Sequence, residues 1–217
     1  MATSEQKQVA RVAGLLYLIV VVTGIFSLGY VPSHVPPTEI SSHLELYRLG
    51  IAAGLLCYVA FLLLPFALYR LLRGYGPQIA VLMVALAVVS VPISLLSLRY
   101  KLDVLTLVAQ SAPQQQIDLA LAAYGNGILI AKLFWGLWLL PFGYLAYRSG
   151  FIPRVLGVLL MLGCLGYLID VFGRVLSPDF NANYVTLPSA LGEIGTCLWL
   201  LAFSMRSPAT VATVASE

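Results

Sequence analysis

The chain has 217 residues, 60% of them hydrophobic and 10% charged, with a formal net charge of +3 and a mean hydropathy of +0.94. A soluble domain carries about a quarter charged residues, so this composition excludes an ordinary water-soluble globule. Basic residues stand singly or in pairs at the ends of apolar runs, not in a stripe with interleaved aromatics, which excludes a nucleic-acid partner.

A helix needs about 20 apolar residues to cross a bilayer. The first such run covers residues 12–30, behind Lys7 and Arg11. It is longer than the apolar core of a signal peptide and no clear Ala-x-Ala site follows, so it reads as a retained span. A polar loop comes next, with Pro32, Pro36 and Pro37 and with His34, Glu39, His43 and Glu45. The second span is expected at 49–69, closed by Arg70 and Arg73, and the third at 78–98, closed by Arg99 and Lys101. Residues 103–118 are polar enough to suggest a short interfacial helix. The fourth span lies within 119–147, too long for one perpendicular crossing, so it tilts or protrudes. The fifth is expected at 153–172 and the sixth, a short one, at 191–203. Residues 1–206 thus form a single membrane domain, and the small polar tail at 207–217 reads as disordered.

The runs are continuously apolar, without the alternation of a β-barrel strand. In lipid an unbroken apolar run implies a helix, which satisfies its own backbone hydrogen bonds. The expected fold is therefore an all-α integral membrane bundle of six spans. With the N-terminus inside, one face collects Lys7, Arg11, Arg70, Arg73, Arg148, Arg154 and Arg206, and the other Arg48, Arg99, Lys101 and Arg174. Seven against four favours cytoplasmic termini in the cell membrane. A repeat is also visible: Leu63-Leu64-Pro65-Phe66 with Gly74-Tyr75-Gly76-Pro77, and Leu139-Leu140-Pro141-Phe142 with Gly150-Phe151-Ile152-Pro153. Twelve residues separate the prolines each time, as in a duplicated helical hairpin; convergence on Gly-x-x-Pro turns is the alternative.

Several stretches carry a family resemblance. They are Gly14-Leu15-Leu16-Tyr17-Leu18, Leu68-Tyr69-Arg70-Leu71-Leu72, Phe134-Trp135-Gly136 and Gly143-Tyr144-Leu145. Ser149-Gly150-Phe151-Ile152-Pro153-Arg154-Val155-Leu156-Gly157, Gly166-Tyr167-Leu168-Ile169-Asp170 and Leu198-Trp199-Leu200-Leu201 complete the set. Together they resemble a bacterial and archaeal membrane family known as domain of unknown function 4386. The resemblance implies a compact helical membrane protein and carries no catalytic residues. Lys132 stands outside its pattern.

Chemistry is sought among charges at membrane depth, which usually face the bundle and have partners. At 1.5 Å per helical residue, Asp170 lies roughly 24 Å beyond Arg154, Lys132 roughly 24 Å beyond Arg148, and Glu193 roughly 20 Å beyond Arg206. Arg48, Arg99 and Arg174 come out near the same boundary. Asp170 and Arg174 share one helix face, with Tyr167 a turn below. The bland reading is an intrahelical ion pair. The functional one is an outward-facing candidate polar pocket of Asp170, Arg174, Glu193, Lys132, Arg99, Arg48 and Tyr167. Cys57, Cys164 and Cys197 read as free buried thiols. The histidine and glutamate spacing in the first loop matches no metal motif, and nothing resembles a Walker loop or dinucleotide fingerprint, so no cofactor is expected. Trp135, Trp138 and Trp199 read as interface belts and packing, with an aromatic pocket for a lipid-like ligand as the alternative. The expected partners are membrane lipid or a hydrophobic small molecule. The readings left open are a binding protein for an amphiphile or partner, an enzyme using Asp170 and Glu193 as acid and base on a hydrophobic substrate, and a small-molecule transporter.

Overall fold

The computed structural model describes residues 4–177, 179–180 and 183–205, and the tail expected at 207–217 lies outside them. Among the described residues six helical stretches are long and apolar enough to cross a membrane: Glu5–His34, Leu44–Tyr75, Pro77–Ala109, Gln114–Ser149, Arg154–Leu176 and Tyr184–Ala202. The protein is an all-α, multi-pass membrane bundle.

The first stretch comprises α1 (Ser4–Gly24), a π-helical turn (Ile25–Tyr30) and the short α2 (Val31–His34). Pro32, expected in a loop, is helical instead. Its ring cannot donate to the preceding turn, and the widened π turn just before it re-routes the ladder where that bond is missing. After a 3-10 turn at Pro37–Ser42 come α3 (Leu44–Leu72) and α4 (Pro77–Ala109). The interfacial helix expected in 103–118 is absent from the described structure. α4 continues to Ala109, a tight turn follows, and α5 (Gln114–Leu137) begins. The polar residues here sit on the ends of two long helices, because a helix that leaves the apolar layer still satisfies its own backbone.

The overlong fourth span is two helices. α5 stops at Leu137 and α6 (Leu139–Ser149) begins after Trp138. Pro141 has no N–H for the Leu137 carbonyl, and the chain turns there. α3, by contrast, runs unbroken through Pro65, so the two halves of the apparent repeat differ at their first proline. They agree at the second: Pro77 opens α4 and Pro153 is the N-cap of α7 (Arg154–Leu176). After a 3-10 turn at Asn183–Thr186, α8 (Leu187–Met205) completes the bundle.

The long helices form a closed ring in which α1, α3, α4, α5, α7 and α8 each touch the next, and α8 returns to α1. α6 packs on α7 and reaches α4 and α3. Phe142 on its buried face stacks on Trp138 at 5.1 Å and meets Tyr17 of α1, across the interior, at 6.5 Å. Helices in lipid gain by close packing, not by hiding apolar surface from water. The α6–α7 contact shows this: a Cβ on Gly143 would stand 2.6 Å from the Gly157 carbonyl oxygen, and one on Gly157 would stand 2.8 Å from that of Gly143. Only glycine lets these two backbones meet.

Candidate functional site

The two carboxyls expected at membrane depth, Asp170 and Glu193, lie in two different settings within the ring. The first is an ion triad. On α7 the stripe Gly163, Gly166, Asp170 is buried, and Asp170 is 2% exposed. Lys132 Nζ on α5 donates to its Oδ2 at 3.0 Å, and Arg174 Nε, one turn along α7, donates to its Oδ1 at 2.7 Å. Both cations are partly exposed. The intrahelical pair is therefore present, and Lys132 joins it from the neighbouring helix. One carboxylate held by two cations leaves no oxygen without a charged donor.

The second is a cleft of about 130 Å³. Its lining comes from five helical stretches: Val20, Gly24 and Leu28 from the first, Cys57, Tyr58 and Phe61 from α3, Trp135 and Trp138 at the end of α5, Tyr167 from α7, and Glu193 from α8. Glu193 is its one charged residue. α8 turns the stripe Ser189, Thr196, Cys197, Leu200 inward, and Glu193 shares that face one turn below Ser189. α1 turns Ala10, Ala13 and Tyr17 inward, each wholly buried. Small residues let α1 and α8 close up: a Cβ on Gly14 would stand 3.0 Å from Leu201. That approach brings the Tyr17 hydroxyl to Glu193 Oε2, to which it donates at 3.2 Å. Tyr167 reaches the cleft because Gly136 leaves room for it; a Cβ on Gly136 would stand 2.5 Å from that of Tyr167. Phe61 meets Trp138 edge-on at 5.2 Å, and Tyr58 lies 6.4 Å from Trp135.

The sequence-predicted residues thus divide. Asp170, Lys132 and Arg174 come together in the triad, Glu193 and Tyr167 line the cleft, and Tyr167 sits one turn from Asp170 on the same helix. Arg99 pairs instead with Asp103 on its own helix at 3.4 Å, with both side chains largely exposed. Arg48 is exposed and makes no ion pair among the described residues. Asp170 is absent from the cleft lining, so the two carboxyls do not share one chamber.

Sequence reasoning missed Tyr17, Tyr58 and Phe61 as site residues. The usable signal was depth: interfacial tyrosines belong at the ends of spans, whereas Tyr17 and Tyr58 stand well inside theirs. It also placed Lys101 at the flank of a span. Lys101 is only 4% exposed, with Nζ 4.5 Å from the centre of the Tyr124 ring. The three cysteines are free and buried. His34 and His43 bond locally through Nδ1, to the Tyr30 carbonyl at 2.9 Å and the Glu39 carbonyl at 3.1 Å. No group of three or more His, Cys, Asp or Glu side chains gathers among the described residues.

The chain is 28% identical, over 147 residues, to an uncharacterised protein of Archaeoglobus fulgidus, covering 68% of this chain and 78% of that protein. No solved structure matches it. The family model described as Domain of unknown function (DUF4386) matches residues 12–203, nearly all of the six-span ring and its cleft, and the chain belongs to that family.

Proposed function

We propose that the protein binds an amphiphile in the cleft between its helices, with the polar head toward Glu193 and the tail among apolar walls. The cleft itself carries this reading: an aromatic and aliphatic chamber with one convergent charged group has the character of a small-molecule site. Its volume of about 130 Å³ is near that of a chamber that accepts benzene, so it suits a head group or short segment. Leu28, 38% exposed, is the exposed residue of the lining, and a tail would leave for lipid past it. The ligand is then a membrane lipid or another hydrophobic small molecule. By the same reading both termini are cytoplasmic and the membrane is the cell membrane, from the basic asymmetry of the loops.

An acid–base enzyme would want two carboxyls converging on one substrate. Asp170 spends both oxygens on Lys132 and Arg174 outside the cleft, which favours binding. A transporter would want an unwound helix whose freed peptide groups face the substrate. At Trp138 the amide still donates to the Phe134 carbonyl, and Trp138 in turn accepts from Phe142. The helical bonds thus carry across the junction without freeing an unwound segment, and this too favours binding.

The test is Gly24→Leu. A Cβ at Gly24 makes only ordinary contact, 3.5 Å from Cys57 Sγ, so the helix tolerates it while the rest of the side chain enters the cleft. Native mass spectrometry of the purified protein should show an amphiphile retained by the original chain and lost from Gly24→Leu, with thermal stability preserved. Identical bound species in both proteins, or none in either, would overturn the proposal.

A further inference from the structure

We infer that the head group this cleft selects is an organic cation, an amine or quaternary ammonium; the inference rests on the amphiphile reading and names its ligand class. Four observations converge. Among the described residues Glu193 is the one charged residue in the lining, and its carboxyl has a single hydrogen bond, from the neutral Tyr17 hydroxyl. No Lys or Arg among the described residues lies within ion-pair distance of it. The contrast with Asp170 is direct, since that carboxylate holds two cations. A carboxylate at membrane depth normally has a partner, and here the open side of Glu193 faces a chamber instead of a lysine.

The walls supply the rest. Tyr58, Phe61, Trp135, Trp138 and Tyr167 present aromatic surface to the same chamber. Aromatic faces carry negative charge density and attract ammonium groups, most strongly where water is excluded. An anionic head would meet both the Glu193 carboxylate and these faces and be repelled by each. An uncharged head could at most donate a hydrogen bond to Glu193, as the Tyr17 hydroxyl does, and would gain nothing from the aromatic faces. The chamber's size admits a trimethylammonium-sized group and no complete lipid, so the remainder of the ligand leaves past Leu28.

The experiment uses the full chain in a nonionic detergent and three probes with one common alkyl tail. They are an alkyltrimethylammonium, its uncharged tert-butyl isostere and an alkyl sulfate, each titrated by calorimetry. The cation should bind about tenfold tighter than the isostere, with the sulfate weakest. Glu193→Gln should bring the cation down to the level of the isostere, and Trp135→Leu should narrow the preference severalfold with Glu193 in place. Should Glu193→Gln not fold, the native series and Trp135→Leu still decide. Equal affinity for cation and isostere in the native protein overturns the cation inference. If Gly24→Leu abolishes that equal binding, the amphiphile reading survives alone. If no probe binds, or Gly24→Leu binds all of them unchanged, both readings fall together.

Discussion

Asp170 and Glu193 look alike in the sequence, two acids in apolar helices, and their surroundings make them different. Asp170 is buried and doubly bonded to cations on two helices, so it ties α7 to α5. Glu193 is bonded once and open to a chamber. Removing one partner of a fully buried ion pair costs about 3–5 kcal/mol. Lys132 and Arg174 are partly exposed and can extend toward water, so the loss here should be smaller. Asp170→Asn is therefore expected to lower thermal stability in detergent while leaving the bound-amphiphile profile of the native chain intact. Loss of the amphiphile with unchanged stability would instead make Asp170 part of the binding site. Lys132→Met should show the same pattern more weakly, because Arg174 still holds Asp170.

At the scale of elements, the decisive contact is α6 on α7. Beyond Trp138, α6 carries Phe142, which meets Tyr17 of α1 at 6.5 Å. Gly143 and Gly157 set how closely the two helices approach. In Gly157→Ala the new methyl would meet backbone atoms of Gly143 and Tyr147 within 3.0 Å, and backbone cannot step aside as a flexible side chain would. Overpacking of this kind costs about 1–3 kcal/mol. Gly24→Ala, with only Cys57 Sγ in ordinary contact, should be nearly neutral. Thermal melts of the two variants side by side check the difference, and equal melting temperatures would contradict the packing argument.

For the whole molecule, the closed ring brings the first and last helices together, so α1 and α8 supply Tyr17 and Glu193 from 176 positions apart. The end of the bundle that carries the start of α1 also carries the Arg70–Glu5 ion pair and the bond from Trp199 to the Phe151 carbonyl, where the α6–α7 turn meets α8. If the basic asymmetry governs insertion, this end faces the cytoplasm. Single cysteines introduced near Ser4 and Ser216, in a chain whose three native cysteines are replaced by alanine, should resist an impermeant thiol reagent in intact cells. They should label once the membrane is opened. Labelling of either from outside would reverse the orientation.

The six spans, the helical class and the Asp170–Arg174 pair were legible in the sequence, because each rests on local physics, and the family was legible through the resemblance of its motifs. Continuous apolar runs demand helices in lipid, and residues four apart on a helix share a face. The break at Trp138 was half legible: Pro141 was visible, but Pro65, in a similar apolar context, leaves α3 continuous. The choice between bending and breaking belongs to the neighbours a proline meets, and a single chain segment does not list them. The division of the predicted polar layer into a triad and a cleft was not legible at all. Depth along a helix follows from counting residues, whereas azimuth around the ring follows from which helix packs beside which. That order, with glycines admitting Tyr167 and Leu201 at close range, was decided by tertiary packing. It separated two acids that agree in depth, pairing one with cations and leaving the other at the wall of an aromatic chamber.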